Sequence, residues 1–313
     1  MELRIVGCTG SMSGPHSSAS CYLVRARGMD PVTGVVRWWN LALDLGPGSF
    51  GQLWRHIDPV DLDAVVFSHC HADHMADVIS LHVHRRWGPA KGRAPIVVAG
   101  PAGTIDRIRD IDGCGPGEDY AGEFRVQELI AGQNVQIGPL SLVPSPAWHS
   151  VPAFGVRISG PDEADPFRTV TLFYTGDTDE CDTILEGARG VDLLLTEVGF
   201  TRADTARGIH MDGERAGRLA TRAEVSAVVA THIQPWTPVE VALEEVRRTW
   251  SGPLVAAQAG QCFTVGRSFG RSLRHGRAGA TPQLSELRVP VGTIPRDVSA
   301  QAGDELAGGV LVP

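Results

Sequence analysis

Ser68-His69-Cys70-His71-Ala72-Asp73-His74 places four metal-competent side chains, His69, His71, Asp73 and His74, within six residues. The apolar run Ala64-Val65-Val66-Phe67 before it reads as a buried strand over 64–68, and the stretch after it reads as a helix over 74–86. A loop between a strand end and a helix start can aim all four groups into one small volume. Imidazole suits Zn(II), Mn(II) or Fe(II), and the carboxylate suits the harder of these. The donors are too dense for one tetrahedral ion, so the spacing predicts two.

A two-ion site needs further ligands, and three positions offer them. His149 stands in Pro146-Ala147-Trp148-His149-Ser150, Asp177 in Tyr174-Thr175-Gly176-Asp177-Thr178, and His232 in Ala230-Thr231-His232-Ile233-Gln234-Pro235-Trp236. Each follows an apolar run and precedes a turn. A carboxylate such as Asp177 can bridge two cations at about the 3.5–4 Å separation of two-metal hydrolysis. The chain also echoes itself. Ala64-Val65-Val66-Phe67-Ser68-His69 resembles Ala227-Val228-Val229-Ala230-Thr231-His232, a buried strand that delivers a hydroxyl and then a histidine. The echo suits two similar α/β halves, each ending a strand at a shared site, where open α/β sheets place their chemistry.

The 313 residues allow one large core or two small ones. A net charge of −8 argues against a broad nucleic-acid footprint, which needs clustered cations. Lys91 is the only lysine, an arginine bias that reads as the codon usage of a GC-rich genome. Six scattered cysteines with no Cys-x-x-Cys pair fit a reducing cytosol better than a disulfide framework. The chain enters a strand directly at Leu3-Arg4-Ile5-Val6, so no signal peptide is expected, and no apolar run approaches a membrane span. Further strands are expected over 35–43, 95–99, 169–175, 191–196, 226–231 and 254–258, with helices over 102–110, 213–223 and 238–250. Thr237 is expected to cap the last helix, with Pro238 in its first turn and Glu240 completing a capping box. From residue 267 apolar periodicity fades. The expected organisation is therefore a core domain over 1–266 and an extended or disordered appendage over 267–313.

The ordered set His-x-His-x-Asp-His, His149, Gly176-Asp177 and His232 resembles the metallo-β-lactamase fold superfamily. Gly7-Cys8-Thr9-Gly10-Ser11 and Asp44-Leu45-Gly46-Pro47-Gly48 agree as landmarks. The resemblance covers residues 1–266. It implies an αββα sandwich of two mixed β-sheets flanked by helices, with two divalent ions, Zn(II) or Mn(II), between the sheets. Carried over motif by motif, it implies His69, His71, His149 and Asp177 around one ion. Asp73, His74, Asp177 and His232 would surround the other. It also implies a homodimer, the assembly common among relatives.

Hydrolases of β-lactams, lactones, thioesters and phosphodiesters share the first cluster. Asp177 stands where the best-known β-lactamases carry cysteine, which favours phosphodiesters. Thr196-Glu197-Val198 and Gly208-Ile209-His210-Met211-Asp212 are similar to the glutamate and histidine motifs of the ribonuclease Z-like branch. There the resemblance gives His210 the role of general acid or phosphate clamp and Glu197 that of its orienter; Asp73 is the residue expected, on chemical grounds, to hold the attacking hydroxide and take its proton. An expelled alkoxide needs protonation, which a carboxylate-held histidine can supply. Relatives generally carry Ser or Thr near Asp212, which here either repels phosphate or caps the next helix. No Lys/Arg- and Gly-rich arm of the kind tRNA 3′-processing enzymes use is present, so long RNA is disfavoured. The motifs Gly-Cys-Thr-Gly-Ser, Ser-His-x-His-Ala-Asp-His and Thr-His-Ile-x-Pro-Trp-Thr resemble those of actinobacterial cyclic-nucleotide phosphodiesterases. The expectation is a cytoplasmic two-metal phosphodiesterase acting on a small nucleotide, 3′,5′-cyclic AMP first. RNA 3′-end processing, lactone or β-lactam hydrolysis, and non-catalytic metal-dependent binding are the rivals.

Other residues read more blandly. Cys70 is expected to point into the core. His82 and His84 lie two apart on a helix and face different ways. His16 and His56 read as surface histidines, and Arg85, Arg86, Lys91 and Arg93 as a solvated basic face. Trp148 and Trp236 adjoin ligands and can stack on a base or pack in the core. Trp38 and Trp39 cannot both face inward.

Overall fold

Side chains alternate between the two faces of a strand, and here the alternation separates two kinds of core. In β1 (Glu2–Gly7), Leu3 and Ile5 turn one way and Val6 the other. In β4 (Ala64–Val66), Ala64 and Val66 join Leu3 and Ile5 while Val65 joins Val6. The same holds in β10 (Thr169–Tyr174), where Val170, Leu172 and Tyr174 face the shared core and Phe173 the outside. Strands buried on both faces need cover on both, so two sheets pack face to face and helices close each outer face.

A computed structural model describes residues 1–266, and the appendage expected over 267–313 lies outside the described residues. One sheet runs β14 (Cys262–Thr264), β1, β2 (Cys21–Met29), β3 (Val36–Leu43), β4, β5 (Ile96–Gly100), β6 (Phe124–Glu128). The other runs β13 (Leu254–Ala256), β12 (Val228–Thr231), β11 (Leu193–Glu197), β10, β9 (Phe154–Pro161), β8 (Leu140–Pro146), β7 (Val135–Ile137). In each sheet an antiparallel half adjoins a parallel half. Pairing turns parallel from β3 to β6 in the first sheet and from β10 to β13 in the second. This is the αββα sandwich of two mixed sheets, and β4 and β12, the echoing strands, occupy opposite sheets.

Helices α1 (Ser49–Leu53), α3 (Val78–Arg86) and α4 (Thr104–Asp112) cover the first sheet, burying Phe50, Leu81 and Ile108. Helices α5 (Asp182–Ala188), α6 (Gly213–Arg222) and α7 (Val239–Arg247) cover the second, burying Leu185, Leu219 and Val246. None of the described helices is long and apolar enough to cross a membrane.

Two local expectations are corrected. The helix over 74–86 is broken into α2 (Ala72–Met75) and α3, because the loop after β3 inserts its backbone at the junction. Leu45 N–H donates to His74 O at 2.6 Å, Asp77 N–H donates to Leu45 O at 3.0 Å, and Asp77 Oδ2 accepts from Phe50 N–H at 2.8 Å. The capping box is not formed either. Pro238 occupies the N-cap of α7 and no side chain caps it. Asp212, in contrast, caps α6, accepting from Arg215 N–H at 2.8 Å and from its guanidinium at 3.0 Å. That settles its role as a cap.

Candidate metal centre

The carboxyl ends of the parallel strands supply the site. His69 follows β4, Asp177 follows β10, Glu197 ends β11 and His232 follows β12, while His149 sits beyond β8. All seven expected ligands fall into two adjoining groups, His69, His71 and His149 in one, and Asp73, His74, Asp177 and His232 in the other. His71 Nδ1 lies 3.1 Å from both His69 Nε2 and His149 Nε2. Asp177 faces both groups, with Oδ2 3.2 Å from His74 Nε2 and 3.8 Å from His69 Nε2, and Oδ1 3.2 Å from His232 Nε2. Asp73 Oδ2 is 3.4 Å from His74 Nε2, on the more open side.

These spacings suit shared cations. Tetrahedral donors about 2.0–2.1 Å from one ion stand about 3.3 Å apart. Protons point the same way. Ser68 Oγ donates to Asp44 Oδ2 at 2.9 Å, so His69 Nδ1 donates to Ser68 Oγ at 3.0 Å. His74 Nδ1 donates to Asp44 Oδ2 at 2.7 Å, and His149 Nδ1 to Ile209 O at 2.8 Å. With Nδ1 engaged as a donor, each ring presents Nε2 to the centre, the nitrogen a metal would take once it is unprotonated. Asp177, 2% exposed, has an Oδ1 with no hydrogen-bond partner. Converging lone pairs around a buried carboxylate repel one another unless cations sit among them, and the donor set fits divalent ions.

The metal-free electrostatics express the same demand. Burial presses against ionisation of Asp177, yet the His232 and His74 imidazoles hold its carboxyl well below the usual carboxylate range. Burial, aided by His74, pushes His69 well below the ordinary imidazole value. Burial also opposes charge on His74, but Asp177 and Asp44 raise it well above that value.

A second pair borders the centre. His210 Nδ1 stands 3.1 Å from Glu197 Oε1 and 3.9 Å from Asp177 Oδ2. Burial opposes charge on His210, but Glu197 and then Asp177 lift it to about 9. Glu197 is fixed in turn by Thr178 N–H on Oε1 at 2.7 Å and Gly199 N–H on Oε2 at 2.8 Å. His210 and Glu197 thus lie beside the seven-residue cluster that includes Asp73.

Asp44 is the functional residue that sequence reasoning left without a role. It is fully buried and collects Ser68 N–H, Ser68 Oγ, His74 Nδ1 and the Tyr174 hydroxyl. Its φ of 58° is unusual for a non-glycine residue, and Asp is among the residues that tolerate it. Asp179 was missed too. It accepts from Gly208 N–H at 2.9 Å and Arg215 Nη1 at 2.6 Å, pinning the segment that carries His210. The bland readings fare variously. Cys70 packs against the core under the first sheet. His82 and His84 are buried away from the centre, beside Tyr120 and Phe50 respectively. The basic face is corrected in part, since Arg85 is buried on Glu123 O and Arg86 pairs with Glu118 and Glu123. Trp39 packs inward and Trp38 lies under Arg25 and Arg27. Trp148 is half-exposed and Trp236 exposed.

A family model described as "Beta-lactamase superfamily domain" matches residues 39–233, the span from β3 to His232. The chain belongs to that superfamily. An uncharacterized protein of Mycobacterium leprae is 35% identical over 268 residues, covering 85% of this chain and 89% of that one. The probable metallo-hydrolase YhfI of Bacillus subtilis is 23% identical, and its crystal structure superposes with a TM-score of 0.71 over 84% of this chain and 98% of that one. A ribonuclease Z of Metallosphaera sedula is 21% identical over 277 residues, covering 74% of this chain and 88% of the relative. Superfamily membership and the His/Asp clusters make the protein a metal-dependent hydrolase.

Proposed function

We propose that the protein is a binuclear phosphodiesterase acting on a small nucleotide, with 3′,5′-cyclic AMP the first substrate to test. The observation that carries this reading is the Glu197–His210 pair beside the ligand cluster, with 3.1 Å between Oε1 and Nδ1. A nucleotide's leaving 3′-oxygen departs as a poor alkoxide unless protonated, and a carboxylate-held histidine beside the ligand cluster can supply that proton. Divalent ions, when bound, supply Lewis acidity and a water of lowered pKa.

The chain's residues do the rest. His69, His71, His149, His74, His232 and Asp177 would hold the ions, and Asp73 would complete the set from the open side. The Asp73 carboxylate accepts the proton of the attacking water. Glu197 keeps His210 oriented and protonated, and His210 gives its proton to the departing 3′-oxygen, leaving a 5′-monophosphate. Zn(II) and Mn(II) both suit the donor set. The test is incubation of Zn(II)- or Mn(II)-loaded protein with 3′,5′-cyclic AMP and quantification of AMP beside an Asp73→Ala control. AMP formation abolished in the control is the expected result. A doubly loaded protein that forms no AMP contradicts the proposal.

A further inference from the structure

A cavity of about 460 Å³ opens between the loop after β1 and the turn after β12. Its size falls within the range of small-molecule sites, about 300–1,000 Å³. None of the seven ligands lines it, yet Thr231 and Ile233, on either side of His232, both do. Thr9 lines it too. The next residue, Gly10, passes so close that a Cβ there would stand 3.0 Å from His232 Nδ1. The cavity's wall therefore includes both chain neighbours of His232.

The chemistry of its wall selects a class of occupant. No Lys, Arg, Asp or Glu lines it. Pro15, Ile233 and Pro235 give flat apolar surface, and Thr9, Ser17 and Gln234 give neutral polar groups. Gln234 is only 6% exposed, and its Nε2 donates to Ser11 Oγ at 2.8 Å while its Oε1 has no partner. A buried acceptor left unpaired is costly, so a donor is expected to meet it. His16 is the only lining side chain that can carry a positive charge, so a phosphate finds little to hold it, whereas a planar heterocycle with N–H donors finds flat walls and the Gln234 acceptor.

We infer that this cavity is the nucleobase subsite, with Gln234 Oε1 accepting from the base edge while the phosphodiester lies at the metal centre. The substrate class rests on the phosphodiesterase reading, whereas the cavity's affinity for a base does not. The experiment compares full-length, metal-loaded wild type with Gln234→Ala and with Pro15→Trp, which narrows the cavity from its exposed wall. One readout is the ratio of kcat/KM for 3′,5′-cyclic AMP to that for bis(p-nitrophenyl) phosphate, which has no base. The ratio is expected to fall about tenfold in both variants, mainly through KM, as loss of one buried hydrogen bond implies. A ratio unmoved in both overturns the inference. The second readout is calorimetric titration with adenosine. Adenosine binding that weakens in both variants, in a protein hydrolysing no phosphodiester, supports the cavity and defeats only the phosphodiesterase reading. Wild type that binds no nucleoside overturns the subsite whatever its activity.

Discussion

Asp44 shows how much of a metal centre resides in residues that touch no metal. One carboxylate fixes the tautomer of His74 directly and that of His69 through Ser68. Replacing such a partner typically costs 10–100-fold in metal affinity. Asp44→Asn keeps the volume but removes the charge that holds the His74 Nδ1 proton, so affinity for the more weakly bound ion is expected to fall by about that factor. Competition with a fluorescent chelator measures it, and affinity equal to wild type would show that Asp44 does not tune the ligands. The ligands themselves were legible in sequence because four crowd into one loop and three follow strand-like runs. Asp44 was visible only as a landmark. Its partners come from positions 68, 74 and 174, and tertiary structure alone brings them together.

At the scale of the element, the seam between α2 and α3 holds Asp73 and His74 in place. It escaped prediction because the interruption comes from backbone far earlier in sequence, at Leu45, which bonds His74 and Asp77. Local periodicity cannot register a distant chain replacing a helical hydrogen bond. Strand types were easier to read, since runs such as Val228–Thr231 are buried on both faces. Gly46 faces Asp73 so closely that a Cβ would stand 2.0 Å from the Asp73 carbonyl oxygen. Gly46→Ala is therefore expected to destabilise by about 1–3 kcal/mol and to displace Asp73. Denaturant unfolding together with metal content checks both effects. On α3, Arg86 meets Glu118 through two bonds of 2.7 Å. The Arg86 guanidinium, followed by Tyr120 N–H, lowers Glu118 to about 2. A carboxyl depressed in the folded state stabilises above its unfolded value of about 4.3 and loses that contribution as pH falls toward 2. In metal-free protein, Glu118→Gln is expected to lower Tm by about 2 °C at pH 7, since a partly exposed pair is screened. The gap should close progressively below about pH 4.3. A gap that persists unchanged to pH 2 would show that the ion pair is not its cause.

For the whole molecule, the sandwich brings two sheets' strand ends to one point, so the ions fasten one sheet to the other. His69 and His74 follow β4 of the first sheet, while Asp177 and His232 follow β10 and β12 of the second. Ligands that bind only the folded state stabilise it by mass action, by about 2.7 kcal/mol at a hundredfold excess over Kd. Chelation is expected to lower Tm by roughly 5–10 °C, and re-addition of Zn(II) or Mn(II) to restore it. Calorimetry with and without chelator reads this, and an unchanged Tm would mean that no ion bridges the sheets. The central claim, that His210 protonates a poor leaving group, is tested most directly by leaving-group dependence. His210→Asn should lose about 10²–10⁴-fold in kcat on 3′,5′-cyclic AMP. It should lose far less on bis(p-nitrophenyl) phosphate, whose nitrophenolate departs without a proton. Equal losses on both substrates, with metal content unchanged, would contradict the assignment of His210 as the acid.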